Sequence, residues 1–424
     1  MPNRTTHRTV LKNGIVVLVV ENSSADIIAS RIFIRAGSRW EPPQQAGLSH
    51  LVAAVLTKGT EQFSSLEIAE RVETVGASLS TDSTSDYFLL SLKTVSSDFA
   101  EVLTLAGEVL RSPTFPSEEV ELERRLTLQA IRSQQEQPFT VALDRLRHAM
   151  YGSHPYALSG LGTEETVGKL TQQDLQHYHQ TYFRPDNVVI SIAGRVAPES
   201  AVALIEEVFG DWQPPATPLP VLSLPPIVPA PTQIITPQET QQSIVMLGYL
   251  APAVSRDAAA ASDYAALKLL NTYLGNGLSS RLFVELREKR GLAYEVSAFY
   301  PTRLDTSQFV VYMGTAPENT AIAQAGLQTE VDRLRSTPLS EEELQSAKNK
   351  LLGQYALGKQ TNSQLAQIFG WYEILGLGVE FDRRFQQEVA GVTIADTQQA
   401  ADRCFIEPYV SLLGPTTIEP MPNS

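Results

Sequence analysis

Apolar positions along this chain fall into two rhythms. Asn13-Gly14 sits between apolar runs and reads as a hairpin turn leading into the strand Ile15–Val20. Ile27–Ile34 alternates in the strand manner, Asp86–Lys93 forms a second strand zone, and Val188–Ile192 and Val410–Leu413 are short apolar strands late in each half. A period near 3.6 predicts helices over Gly47–Thr57, Ser64–Val75, Asp98–Arg111, Ser117–Gln135 and Phe139–Tyr151. The helix after Ser64 opens on a Ser64/Glu67 capping box and stops at Gly76. Beyond residue 232 the same grammar returns, with helical stretches over Ser255–Leu274, Ser279–Lys289, Pro317–Arg335 and Ser340–Leu375. Strands and helices in this irregular succession predict α+β domains rather than a doubly wound parallel sheet.

The halves are separated by Pro214–Pro231, a segment rich enough in proline to forbid helix and ladder pairing. At about 3.1 Å per residue it would reach on the order of 55 Å as an extended connector. The expected organisation is a domain over 1–213, a linker over 214–231 and a second domain over 232–424. The domains read as copies. Leu110-Arg111-Ser112-Pro113 through Glu119 matches Leu334-Arg335-Ser336 through Glu342, and Leu170-Thr171 through Asp174 and Phe183 matches Val392-Thr393 through Asp396 and Phe405. Two matches at nearly one offset point to internal duplication.

Composition narrows the classes. At 424 residues the chain exceeds one ordinary core, and 43% hydrophobic with 19% charged residues is a globular balance. A net charge of −14 opposes binding to nucleic-acid phosphates. Cys404 is the only cysteine, so no intrachain disulfide is available. No apolar run approaches the roughly 20 residues that span a bilayer, and Met1–Thr5 lacks the layout of a secretion signal, so the expected setting is cytoplasmic.

Candidate chemistry begins at His50-Leu51-Val52-Ala53-Ala54, framed by Gly47-Leu48-Ser49 and Lys58-Gly59-Thr60. This setting resembles the zinc helix of the inverted-motif metallopeptidases, the pitrilysin and mitochondrial processing peptidase-like family, which read His-x-x-Glu-His there. Residues i, i+3 and i+4 share a helix face, so two imidazoles and a carboxylate converge in an active member. Here the Glu position holds Ala53 and the second His position Ala54. The resemblance places the third ligand at Ala130 and a supporting carboxylate at Glu123. His50 alone is a poor zinc site, and its other reading is a buried or half-buried histidine bonded to a neighbour. His177 and His179, two apart on one helix, face different ways, and His154 in Gly152-Ser153-His154-Pro155 reads as structural.

The second half carries Leu278-Ser279-Ser280-Arg281-Leu282-Phe283-Val284-Glu285-Leu286-Arg287-Glu288-Lys289-Arg290-Gly291-Leu292-Ala293-Tyr294. It is similar to the family's C-terminal signature, where an Arg and a Tyr seven residues later reach the cleft opposite the zinc. Arg287 and Tyr294 occupy those positions. A phenol can donate to a carbonyl oxygen gaining negative charge, and a guanidinium fork can fix substrate carbonyls. The structural alternatives are a last-turn cation capped by Gly291 for Arg287, and a core strand aromatic for Tyr294.

The resemblance implies two duplicated LuxS/MPP-like metallohydrolase domains, each an antiparallel sheet packed with helices. It further implies an inactive, zinc-free subunit whose Arg287 and Tyr294 act in trans on a peptide in the site of a zinc-bearing homologous partner. This chain would bind no cofactor, with zinc held by the partner. The competing expectation is a non-proteolytic homodimeric scaffold or peptide-binding protein of the same fold.

Overall fold

The computed structural model describes residues 5–255 and 258–415, with backbone only for 258–262. Two compact units emerge, and they are not consecutive halves. Unit 1 gathers 1–131, 159–223 and 357–382, and unit 2 gathers 132–158, 224–356 and 383–424. This grouping differs from the expected division into 1–213, 214–231 and 232–424, because one helix of each half clusters with the other unit.

Unit 1 is built on six strands: β1 (Thr6–Val10), β2 (Val16–Glu21), β3 (Ile27–Ile34), β4 (Ser78–Ser83), β5 (Phe88–Val95) and β6 (Val188–Gly194), in the order β1-β2-β6-β3-β5-β4. All pairs are antiparallel except β2 with β6. The first hairpin turns at Asn13-Gly14 as the pattern required, with Gly14 at a φ of 98° and its amide bonded to the Leu11 carbonyl. One face packs against α1 (Leu48–Val55), α2 (Ser65–Thr74) and α3 (Phe99–Arg111). The first of these helices is placed as expected, and the Ser64/Glu67 box caps the second. Next come α4 (Ser117–Gln135), then α5 (Pro138–Tyr151), which passes to unit 2, and the short α6 (Glu164–Val167), α7 (Gln172–Tyr182) and α8 (Pro198–Phe209) of unit 1. β4 escaped the sequence reading because Ser78-Leu79-Ser80-Thr81-Asp82-Ser83 is polar on its open face, as an edge strand can be.

Unit 2 repeats the plan with β7 (Gln233–Pro237), β8 (Ser243–Ala251), β9 (Glu295–Phe299), β10 (Ser307–Thr315) and β11 (Tyr409–Gly414), ordered β7-β11-β8-β10-β9. Here too one pair, β7 with β11, is parallel. The expected antiparallel sheets are thus mixed, because the late strand of each half inserts beside the early one after a long crossover. Its helices are α9 (Ala258–Gly275), α10 (Thr320–Ser336), α11 (Glu341–Leu357), α13 (Phe381–Gly391) and α14 (Ile394–Cys404), with α12 (Asn362–Ile374) passing to unit 1. Part of the expected Ser255–Leu274 helix, residues 256 and 257, lies outside the described residues. Ser340–Leu375, expected as one stretch, is two helices. The break falls at Gly358–Thr361, where Thr361 caps α12 through a capping box with Gln364.

The duplication is visible in detail. Thr171 and Asp174 box the start of α7, and Thr393 and Asp396 box α14 in the same way. Both helices end at a buried phenylalanine, Phe183 and Phe405. The exchanged helices also match. α5 lies on β8, where a Cβ on Gly248 would stand 2.7 Å from the Met150 sulfur. α12 lies on β3, where a Cβ on Gly370 would stand 2.3 Å from the Phe33 ring. No helix or strand forms over 214–231, as the prolines dictate. Arg184 holds the start of this segment through the Pro215 and Thr217 carbonyls, and the Ala230 amide donates to the Tyr409 hydroxyl at its far end. Among the described residues no helix is long and apolar enough to cross a membrane.

Candidate functional site

The helix that carries His50 is held from outside by a buried acid. Gly47, at a φ of 96°, turns the chain into α1, and its amide donates to Glu41 Oε2 at 2.9 Å. The Ser49 amide donates to Glu41 Oε1 at 2.6 Å. A carboxylate therefore meets the free amides of the α1 N-terminus, where the helix dipole favours it. Burial pushes the Glu41 carboxyl above its ordinary range, and the donated N–H groups pull against that rise. Gly47 is also obligatory for space, since a Cβ there would stand 2.5 Å from the Leu161 carbonyl. Thr166 donates to the Ala46 carbonyl from the same side. The segment around Gly162 thus packs directly on the turn at Gly47, where a Cβ on Gly162 would stand 2.1 Å from the Ala46 carbonyl.

His50 sits half-buried on α1. Burial lowers its pKa, while Asp82 of β4 and Glu123 of α4 pull it up. Its neighbours act on it by charge, and no hydrogen bond ties its ring to a described side chain. Glu123 lies 3.0 Å from the Lys58 amine. Ala53 is buried, Ala54 half-buried, and Ala130 exposed on α4. Thr81 of β4 donates to the Ala53 carbonyl at 2.6 Å, fixing the edge strand to this helix.

Zinc does not fit these donors. A catalytic site takes three protein ligands and a water, whereas His50 brings one imidazole, and one of its two acidic neighbours is engaged by Lys58. Among the described residues no three His, Cys, Asp or Glu side chains gather as a metal set. The other histidines lie elsewhere. His179 is buried with Nε2 at 2.8 Å from the Leu110 carbonyl, and His177 is exposed. His154 is buried between Tyr151 and Tyr156 and lies 3.5 Å from Asp305.

Arg287 and Tyr294 belong to unit 2, and His50 belongs to unit 1. The expected helix over Ser279–Lys289 widens into a π-helical segment, Phe283–Glu288, a local form common at functional sites. Arg287 leaves it exposed, with its guanidinium 5.0 Å from the centre of the Phe283 ring. The chain then turns back at Gly291, whose φ is 63°, and the Leu292 amide bonds to the Leu286 carbonyl. Tyr294 enters the outer strand β9 with its amide on the Gly314 carbonyl. Its side chain is 60% exposed, which rules out the core-aromatic alternative. Neither side chain enters an ion pair or side-chain hydrogen bond with a described residue.

The sequence reading missed three features around these residues. Asp82 could not be placed without β4, and Glu41 carried no motif. The Lys58–Glu123 contact needed the distance between α1 and α4.

The family model described as "Insulinase (Peptidase family M16)" matches residues 16–164, and that described as "Peptidase M16 inactive domain" matches 169–351. The chain is 27% identical over 413 residues to the uncharacterized zinc protease YmxG of Bacillus subtilis, covering 96% of this chain and 98% of that protein. It is 28% identical over 420 residues to an uncharacterized zinc protease of Streptomyces coelicolor, covering 97% and 90%. Among solved structures, a protease from Helicobacter pylori superposes with a TM-score of 0.90 at 21% identity, covering 97% of this chain and 99% of that one. A peptidase M16 inactive domain from Pseudomonas fluorescens superposes at 0.89 with 24% identity, covering 98% and 100%.

Proposed function

The chain belongs to the M16 peptidase family, and from that membership we propose that it is a zinc-free subunit that completes the peptide-cleaving site of a zinc-bearing homologous partner. The observation that carries this reading is an asymmetry. Methyl groups stand at Ala53, Ala54 and Ala130, while Arg287 and Tyr294 remain exposed, with no ion pair or side-chain hydrogen bond to a described residue. A phenol with no hydrogen-bond partner among the described side chains can donate to the scissile carbonyl oxygen as negative charge develops there. The Arg287 fork can hold a neighbouring substrate carbonyl. Zinc and its water belong to the partner, and the substrate is an extended peptide.

The test mixes this chain with a zinc-bearing homologue from the same source and follows peptide cleavage. Cleavage should require both chains, and Arg287→Ala with Tyr294→Phe should lower kcat by about 10²–10³-fold, the usual range for a lost oxyanion donor. Unchanged kcat in the double variant, or chelator-sensitive cleavage by this chain alone, would overturn the proposal.

A further inference from the structure

One face of the unit 1 sheet presents cations in a chain that is acidic overall. β3 alternates, and Phe33 meets α12 while Ile32 and Ile34 enter the core on the other side. Arg31 therefore shares the α12 face with Phe33, and Arg35, just past the strand, feels the charge of Glu373 on α12. On the neighbouring β5, Ser91 lies opposite Arg31 and Lys93 lies opposite Ala29, on that same face. Beside α12 this face opens into a cavity of about 500 Å³ lined by Arg31, Tyr87, Gln364, Gln367, Ile368 and Trp371 among others.

Arg31 is the unusual member. It donates through Nη1 alone, to the Ser30 carbonyl at 3.0 Å and the Leu92 carbonyl at 3.3 Å. Among the described residues no carboxylate pairs with it, and no protein acceptor meets its Nε–Nη2 edge. Burial lowers its pKa with no acid opposing, yet a guanidinium stays charged at any working pH. The carboxylate that acts on Arg35, Glu373, is bonded to Arg8. A half-buried cation left with one planar edge free, walled by an indole, a phenol ring and an isoleucine, is arranged for a carboxylate beside an apolar group.

We propose that this cavity binds a peptide carboxylate flanked by an apolar or aromatic side chain. The carboxylate accepts from the Arg31 fork, the Gln364 and Gln367 amides offer further hydrogen bonds, and Trp371, Tyr87 and Ile368 hold the apolar group. The choice of a peptide rests on the function proposed above, while the carboxylate specificity rests on the cavity. The carboxylate is either a chain terminus or an Asp or Glu side chain.

Calorimetric titration of the full chain alone separates these sources with three short acetylated peptides. One ends in Phe with a free carboxylate and has no acidic residue. A second is the same peptide amidated. A third is amidated and carries Glu beside Phe. Binding of the first alone identifies a terminus, and binding of the third alone identifies an acidic side chain. The neutral peptide should bind at least tenfold more weakly than the better acid. Arg31→Gln should lose at least tenfold, and Arg31→Lys should fall between. Gln367→Trp, which fills the cavity from α12 without touching the cation, should also abolish binding. Equal binding of the neutral peptide, no loss in Arg31→Gln or Gln367→Trp, or no binding of any peptide at millimolar concentration overturns the proposal. Cleavage is not read, so a failure here leaves the two-chain assay untouched, and a failure there leaves this site standing.

Discussion

Replacing His179 by Gln removes one proton site from the interior of unit 1 while keeping an N–H donor for the Leu110 carbonyl. The native His179 is 8% exposed, edge-on to Phe115 and tilted against Phe183, with Nε2 at 2.8 Å from that carbonyl. Burial pulls its pKa from 6.5 down to about 4, opposed by the bond to Leu110. Above 6.5 both native and unfolded chains are neutral at this site, and it adds no pH dependence. Between 6.5 and 4 the unfolded chain takes up a proton that the native one refuses, so stability falls as the pH falls. The gap corresponds to roughly 3 kcal/mol in full, and to about 2.5 kcal/mol at pH 4.5. All three tryptophans, Trp40, Trp212 and Trp371, lie in unit 1, so their fluorescence follows the unfolding of this unit. Urea midpoints of wild type and His179→Gln would be compared at pH 7.5 and 4.5. Other groups titrate in both proteins and cancel in the difference. The variant should lose less stability on acidification, by about 2.5 kcal/mol. Parallel losses within about 0.5 kcal/mol, the scatter expected between independent sites, would refute the buried neutral imidazole.

Two further perturbations use the same readout. Asp86 lies 3.0 Å from Arg39, with 6% and 7% of their side chains exposed; Asp86→Ala should cost roughly 3–5 kcal/mol by stranding a buried cation, and a loss under about 1 kcal/mol, the ceiling for surface pairs, would contradict that burial. Gly370→Ala should destabilise unit 1 by about 1–3 kcal/mol through collision with Phe33, although alanine is the better helix former by about 1 kcal/mol; a gain in urea midpoint would show that α12 does not seat on β3 this closely.

Much of the fold is legible in the chain itself because its signals are local. The Asn13-Gly14 turn, the Ser64/Glu67 box and the paired Thr/Asp boxes of α7 and α14 each lie within a few residues, and each forms where it reads. Absence of the His-x-x-Glu-His donors is likewise a fact of the string, since no packing can turn Ala53 or Ala54 into a ligand. Break points inside long helical patterns were harder. Gly358 and Thr361 divide α11 from α12 within a run whose period scarcely changes.

What tertiary structure alone decided is which surfaces meet. Periodicity gives α5 and α12 an apolar face but not the sheet that face will cover, and each settles in the unit built mainly from the other half. β4 becomes a strand by pairing with β5 rather than by its own propensity. A charged residue inside the strand Ile27–Ile34 is visible in the sequence. That Arg31 keeps a free edge beside Trp371 depends on two segments some 340 positions apart (31 and 371) being packed together, and no local pattern encodes such a contact.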